Sequence, residues 1–124
     1  CELETSKVYL FKEQSHPGRC IVAHKKHVGD MNELTAEERA AYFEDVARVA
    51  RAIMKAFNPD KVNYGAYGDT GHHLHFHLCP KYKDEYEWGG VFLMNPDKKY
   101  LTDEEYAEIA SRILDEWLSE SDGS

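Results

Sequence analysis

The feature of the sequence that most constrains the fold is the alternation of histidine with apolar residues over positions 73–79, HLHFHLC. In a β-strand successive side chains point to opposite faces, so the three histidines would share one face and the apolar residues the other. A helix would scatter the histidines, because only side chains three or four positions apart meet on its surface. The stretch therefore predicts a strand with a core behind one face and a row of imidazoles on the other.

Three further strands are predicted from β-branched and aromatic residues between turn residues. They cover residues 7–12, 19–24 and 62–67. Short turns join these strands in pairs, which predicts two antiparallel hairpins, the second formed with the histidine strand. Pro80 either ends pairing on the histidine strand or marks an edge. The apolar run at 91–94 is either a short strand or a loop lying on the core.

Two helices are predicted, because each follows a Thr-x-x-Glu capping box and carries apolar residues at helical spacing. The boxes begin at Thr35 and Thr102, and the helices are expected over residues 36–57 and 103–119. The order β-β-α-β-β-α predicts an α+β fold: an antiparallel sheet of about five strands, one long central helix and a C-terminal helix.

Composition excludes several classes of protein. The chain has 124 residues, which predicts a single domain over 1–124. Its formal net charge of −8 argues against nucleic-acid binding, and no apolar run approaches the length of a membrane span. The three cysteines, Cys1, Cys20 and Cys79, form no CxxC pair, which favours a reducing, cytoplasmic location.

Two chemistries suit a row of three imidazoles. Metal binding would need outside ligands such as His27, because three side chains on one straight strand do not easily close on one ion. Phosphate chemistry would use one imidazole to attack phosphorus, while neighbouring groups hold the charged oxygens. The adjacent turn could supply backbone N–H groups and a hydroxyl from Gly68, Asp69, Thr70 and Gly71. Cations that could gather around an anion are Arg19, Lys25, Lys26 and Lys81.

Residues 73–79 resemble the His-φ-His-φ-His-φ-φ motif of the histidine-triad (HIT) family of nucleotide hydrolases and transferases. The β-β-α-β-β order, the Pro17-Gly18 turn, the Lys-Lys-His run ending at His27 and Thr70 before the triad strengthen the resemblance. It covers roughly 7–82 and leaves 96–124 as a C-terminal helical extension. The resemblance implies a homodimer that acts at the α-phosphate of a nucleotide substrate through a nucleotidyl-histidine, with no cofactor and no catalytic metal.

The resemblance also implies a role for each matched residue. His75 is the nucleophile and His77 holds the phosphoryl oxygens. His73 orients the site, its backbone carbonyl fixing the tautomer of His75. Thr70 contacts the leaving-group oxygen, and Asn63 contacts phosphate or the nucleophile.

Three positions depart from the family pattern. Arg19 stands where the family commonly has a phosphate-site histidine, which predicts a permanent phosphate-binding cation that cannot relay a proton. The acid that binds the ribose is missing near Phe11; Glu13 could replace it or be a solvated turn residue. No CxxC accompanies His27 and His73, so we expect no structural zinc there.

The sequence thus predicts a phosphohydrolase acting on nucleoside phosphoramidates or dinucleoside polyphosphates. The alternative is a non-catalytic nucleotide-binding or scaffold protein that keeps the fold. A third reading is a metal-binding protein that uses His27 and His73.

Overall fold

The structure, a computed structural model, describes residues 2–67, 73–83, 85, 87–92 and 99–123. Its strands are β1 (Ser6–Leu10), β2 (Cys20–His24), β3 (Lys61–Gly65) and β4 (His75–Lys81). Its α-helices are α1 (Ala36–Phe57) and α2 (Asp103–Gly123), and a short 3-10 helix covers Met31–Glu33. The α+β prediction is confirmed, with four strands among the described residues. The predicted Gly68–Gly71 turn and the second half of the 91–94 run lie outside those residues.

The sheet is antiparallel throughout, in the order β1-β2-β4-β3. Both predicted hairpins are present, and β2 pairs with β4 to join them. Ile21 lies across from Tyr9 on β1 and from His77 on β4. Because the same residue of β2 pairs with one residue of β1 and one of β4, the paired side chains of neighbouring strands form straight rows across the sheet.

The hydrophobic core lies between α1 and the sheet face opposite the histidines. Leu74 is 6% exposed and Leu78 is fully buried, as the alternation predicted. Tyr42 of α1 is also fully buried and donates its hydroxyl to the carbonyl of Val22 at 2.7 Å. The helical layer therefore covers one face and leaves the histidine face free for chemistry.

The bounds of α1 agree with the prediction because its ends are set locally. Glu38 N–H donates to Thr35 Oγ1 at 3.1 Å, and Thr35 N–H donates to Glu38 Oε1 at 2.8 Å, so both halves of the capping box form. At the other end Asn58 takes the left-handed conformation, with φ of 48°. This cap stops the helix one residue before Pro59.

The histidine strand differs from the prediction at both ends. It begins at His75 rather than His73, because Leu74 N–H turns to donate to the carbonyl of Val28 at 2.8 Å. Pro80 is not on an edge strand, since β4 is interior. β4 pairs with β2 only as far as Leu78, whereas it pairs with β3 as far as Lys81. Pro80, which has no N–H, therefore lies beyond the part of β4 that pairs with β2.

None of the helices in the described part of the chain is long and apolar enough to cross a membrane.

Candidate active site

The exposed face of the sheet is organised in rows that run from β1 to β3. Lys7, Ala23 and His75 form one row. The next row contains Tyr9, Ile21, His77 and Gly65. Phe11 and Arg19 form the next row on this face, just after the end of β1 and just before the start of β2, and Phe11 N–H donates to the Arg19 carbonyl at 2.9 Å. The histidines thus stand in the middle of a grid whose β1 side carries Lys7 and Tyr9.

His75 is held in one tautomer by the backbone before it. Its Nδ1 lies 2.8 Å from the carbonyl oxygen of His73, the contact that the resemblance implied. A carbonyl only accepts, so Nδ1 must carry the proton, which leaves Nε2 with a free lone pair. The half-buried imidazole is therefore prepared as a base or nucleophile at Nε2.

His77 has the opposite arrangement. Its Nδ1 lies 3.2 Å from Nη2 of Arg19. Guanidinium only donates, so Nδ1 of His77 accepts and its proton sits on Nε2. Burial, then the charge of Arg19, then His75 lower the pKa of His77 to about 4. Above that pH His77 is a neutral imidazole with an Nε2–H donor, and its ring centroid lies 5.3 Å from that of His75.

Arg19 lies beneath the site and is 0% exposed. Its guanidinium carbon sits 4.2 Å from the ring centre of Phe11 and 4.8 Å from that of Phe92. Burial lowers the pKa of Arg19, which nevertheless keeps its charge because a guanidinium titrates far above neutrality. Arg19 contacts His77. The predicted direct contact between Arg19 and phosphate stays a prediction.

An aromatic cover closes over His77, which is 1% exposed. The ring centres of Phe11, Tyr67 and Phe92 lie 5.0, 6.2 and 6.3 Å from that of His77. Gly65, which faces His77 on β3, leaves room for this cover: a Cβ there would lie 2.7 Å from Phe92 Cζ and 2.9 Å from Tyr67. Of the three rings, Tyr67 is the most exposed, at 46%.

His73 links the site to the loop after β2. Its Nε2–H donates to the carbonyl of His24, and its ring centre lies 5.4 Å from that of His27. In the described part of the chain, no group of three or more His, Cys, Asp or Glu side chains is placed to hold a metal ion. The two histidines proposed as zinc ligands are therefore neighbours without a third ligand among those residues.

The other predicted site residues are spread around this centre. Asn63 on β3 pairs with Cys79, which is the next residue after His77 on the same face of β4. Asn63 also lines a cavity of about 220 Å³ with Trp88 and Lys61. Its contact with phosphate or the nucleophile stays a prediction. Gly68, Asp69, Thr70 and Gly71 lie outside the described residues.

Two predicted charges are engaged elsewhere. Glu13 is 2% exposed; its carboxylate accepts hydrogen bonds from Ser15 and from the backbone N–H of Lys99 at 3.0 Å. It is therefore not a solvated turn residue, and it braces the turn before Arg19. Lys81 is 2% exposed and its ammonium donates to the carbonyls of Glu87 and Gly90, so it does not reach the histidine row as a free cation.

Three aromatic residues of the site were missed by the sequence analysis. Phe11 and Tyr67 could have been found, because extending the register of β1 and β3 by one or two positions places them on the histidine face. Phe92 had no such signal, since it lies in an irregular segment with no periodicity. Phe92 brings the segment after β4 to the site, whereas Trp88, 37% exposed, lines the neighbouring cavity.

Comparison with known proteins gives the class of this fold and site. The HIT domain family matches residues 2–84. A histidine triad (HIT) protein from Sinorhizobium meliloti has a similar fold, with a TM-score of 0.85 at 23% identity, covering 92% of this chain and 84% of that one. The chain belongs to the HIT family.

Two curated relatives resemble the chain in sequence. The adenosine 5′-monophosphoramidase of Schizosaccharomyces pombe is 30% identical over 71% of this chain and 67% of its own length. The bis(5′-adenosyl)-triphosphatase of Dictyostelium discoideum is 28% identical over 57% of this chain and 51% of its own length. The chain thus spans between a half and two thirds of the length of these relatives.

Proposed function

We propose that the protein is a nucleotide phosphohydrolase that attacks the α-phosphorus of nucleoside phosphoramidates or dinucleoside polyphosphates. The observation that carries the proposal is the pair of opposite tautomers at adjacent histidines. His75 presents a bare Nε2 and His77 carries its proton on Nε2. A nucleophile beside a fixed neutral donor is what transfer of a charged phosphoryl group needs.

The reaction proceeds in two displacements. Nε2 of His75 forms a bond to the α-phosphorus, and the bond from phosphorus to the leaving nitrogen or oxygen breaks. His77 donates an Nε2–H hydrogen bond to a non-bridging oxygen, and the leaving group takes a proton from solvent through the Thr70 hydroxyl, which regains its own proton from water. Water then attacks phosphorus and gives up a proton to solvent, the P–N bond to His75 breaks, and a nucleoside monophosphate leaves.

His73 and Arg19 act through the two reacting histidines. The carbonyl of His73 keeps the proton of His75 on Nδ1, and Arg19 keeps the proton of His77 on Nε2. The buried Arg19 thereby takes the place of the phosphate-site histidine of the family. The names of the two curated relatives, a monophosphoramidase and a triphosphatase, support both substrate types.

The test is turnover by His75→Ala beside a histidine variant outside the row. Replacing His75 should abolish hydrolysis of adenosine 5′-phosphoramidate and of diadenosine polyphosphates. His27→Ala, at an exposed position, serves as the matched control and should keep activity. Undiminished hydrolysis by the His75 variant would refute the proposal.

The second candidate is a nucleotide-binding protein that does not turn its ligand over. The engagement of Glu13 favours it, because that carboxylate accepts three hydrogen bonds within the protein and is not free for a ribose. Binding of AMP without product release from any substrate of the panel would support this candidate.

We also propose a homodimer that works in the cytoplasm. Phe43 and Met54, 41% and 46% exposed, lie on one side of α1 about three turns apart, which suits a helix that packs against a second copy. Cys20 and Cys79 are buried free thiols, as expected in a reducing compartment. Light scattering of the purified chain would show a single protomer mass if the dimer proposal is wrong.

A further inference from the structure

A basic cavity lies on the histidine face, on the β1 side of the triad. It has a volume of about 320 Å³. It is lined by Lys7, Tyr9, Ala23, His24, Lys25 and His73. Two ammonium groups gathered on one face are notable in a chain whose formal net charge is −8, because the average surface of such a protein repels anions.

The sheet register connects this cavity to the reacting histidine. Lys7 stands two strands away from His75 in the same row, or about 10 Å at ~4.8 Å per strand. Continuing the same register by two residues places Lys25 beside His73, and Lys25 N–H donates to the carbonyl of Thr5 at 2.8 Å. His73 also lines the separate cavity of about 160 Å³ in front of His75. His73 therefore lines both cavities.

A carboxylate already bridges the two lysines. Glu2 places Oε1 3.8 Å from Nζ of Lys7 and Oε2 3.5 Å from Nζ of Lys25. The side chain of Glu2 is 63% exposed, so these are surface ion pairs of small net energy. They show that one anionic group can reach both ammonium groups at once. Because phosphate carries more charge than a carboxylate, we expect it to compete with Glu2 for the two lysines.

We propose that this cavity binds the phosphates of an anionic leaving group through the ammonium groups of Lys7 and Lys25. The inference rests on the proposed attack at His75. With the α-phosphorus at His75, the second to fourth phosphates of a polyphosphate chain span the distance to Lys7 and Lys25. Ammonium groups suit them, because phosphate oxygens form charge-assisted hydrogen bonds with lysine. Exposed Tyr9, in the row of His77, offers a ring on which the second base can stack.

The experiment compares two substrates that share the adenylyl group and differ in the leaving group. Diadenosine tetraphosphate releases a polyphosphate, whereas adenosine 5′-phosphoramidate releases ammonia. Lys7→Gln and Lys25→Gln should each lower kcat/KM for the tetraphosphate about 5-fold, the most that one exposed ion pair usually contributes, and leave the phosphoramidate within about twofold. Glu2→Gln should change the tetraphosphate rate in the opposite direction, because it removes the competing carboxylate.

Lys12→Gln is the matched control, since it removes the same charge from an exposed position at the far end of β1. An equal loss for Lys12→Gln would mean that net charge alone attracts the substrate, and would overturn the proposal. Equal losses for both substrates in the Lys7 and Lys25 variants would also overturn it.

A binding measurement separates this inference from the proposed reaction. Titration of the full chain with inorganic tripolyphosphate should show binding that both lysine substitutions weaken and that Lys12→Gln leaves unchanged. Binding that neither substitution affects would overturn the site, whatever the chain hydrolyses. Lysine-dependent binding by a chain that turns over neither substrate would keep the site and refute the hydrolase instead.

Discussion

Replacing Arg19 should release His77 from its fixed state. A guanidinium and an imidazolium about 4 Å apart repel each other by ~4 kcal/mol at an effective dielectric constant of ~20, which is an upper limit. The pKa of His77 falls from 6.5 to about 4, with burial as the larger cause and Arg19 as the next. Because burial is the larger cause, Arg19 accounts for less than half of this fall of about 2.5 units, or less than about 1.7 kcal/mol.

The substitution Arg19→Met keeps an unbranched side chain about as long as the arginine stem and removes the guanidinium with its charge and donors. We expect the pKa of His77 to rise by up to about one unit, because the repulsion from the guanidinium is removed. We also expect the proton of His77 to distribute between Nδ1 and Nε2, since no donor then faces Nδ1. Arg19→Lys should keep most of the pKa lowering, because it keeps the charge.

Nitrogen-15 NMR of the histidine rings, recorded as a function of pH, measures both quantities. The wild-type spectrum should show His77 with a proton on Nε2 alone down to about pH 5, and the Met variant should show both tautomers at pH 7. Circular dichroism would confirm that the Met variant is folded, since Arg19 is buried between Phe11 and Phe92. An unchanged tautomer and pKa in a folded Met variant would refute the role given to Arg19.

Three other predictions concern stability. Gly65→Ala should destabilise the protein by roughly 1–3 kcal/mol in urea unfolding, because the new methyl group overlaps Phe92. The same change at Gly90, where a Cβ would have no heavy atom closer than 4.0 Å, should lack that clash. Asp45→Asn should cost roughly 1–3 kcal/mol, because one oxygen of Asp45 accepts bonds from the Thr5 N–H and hydroxyl and from the Ser6 hydroxyl; an unchanged unfolding midpoint would contradict this. The pKa of His77 is lower in the folded state than in the unfolded state, so the unfolded state binds more protons at pH values between the two pKa values. The free energy of unfolding should therefore fall as pH drops from 6.5 towards 4, by up to roughly 3 kcal/mol, and His77→Gln should flatten that slope.

Local signals in the sequence were sufficient for the elements and for which side chains share a face. The capping box at Thr35 and the left-handed Asn58 set the ends of α1 through contacts within a few residues, so the predicted bounds agree with the structure. The alternation at 73–79 located the core face for the same reason, since side-chain direction in a strand depends only on position.

The chemistry of Arg19 was beyond the sequence because it depends on pairing between distant strands. Adjacency of β2 and β4 brings Arg19 to His77 across 58 positions of the chain. From the sequence alone, without knowledge of that pairing, Arg19 is predicted to be an exposed phosphate ligand rather than a buried residue that contacts an imidazole. Glu13 reads as a solvated acid for the same reason, because its partner at Lys99 is 86 residues away.

The most direct test of the account is to identify the atom that carries the nucleotide during turnover. The chain would be mixed with an adenylyl substrate and quenched at alkaline pH, where phosphoramidate bonds survive, and the labelled residue would be found by peptide mass spectrometry. The account predicts one acid-labile adenylyl group on His75, absent from His75→Ala and present in His27→Ala. Product formation with His75 unlabelled at every quench time, or a label on His77 instead, would contradict it.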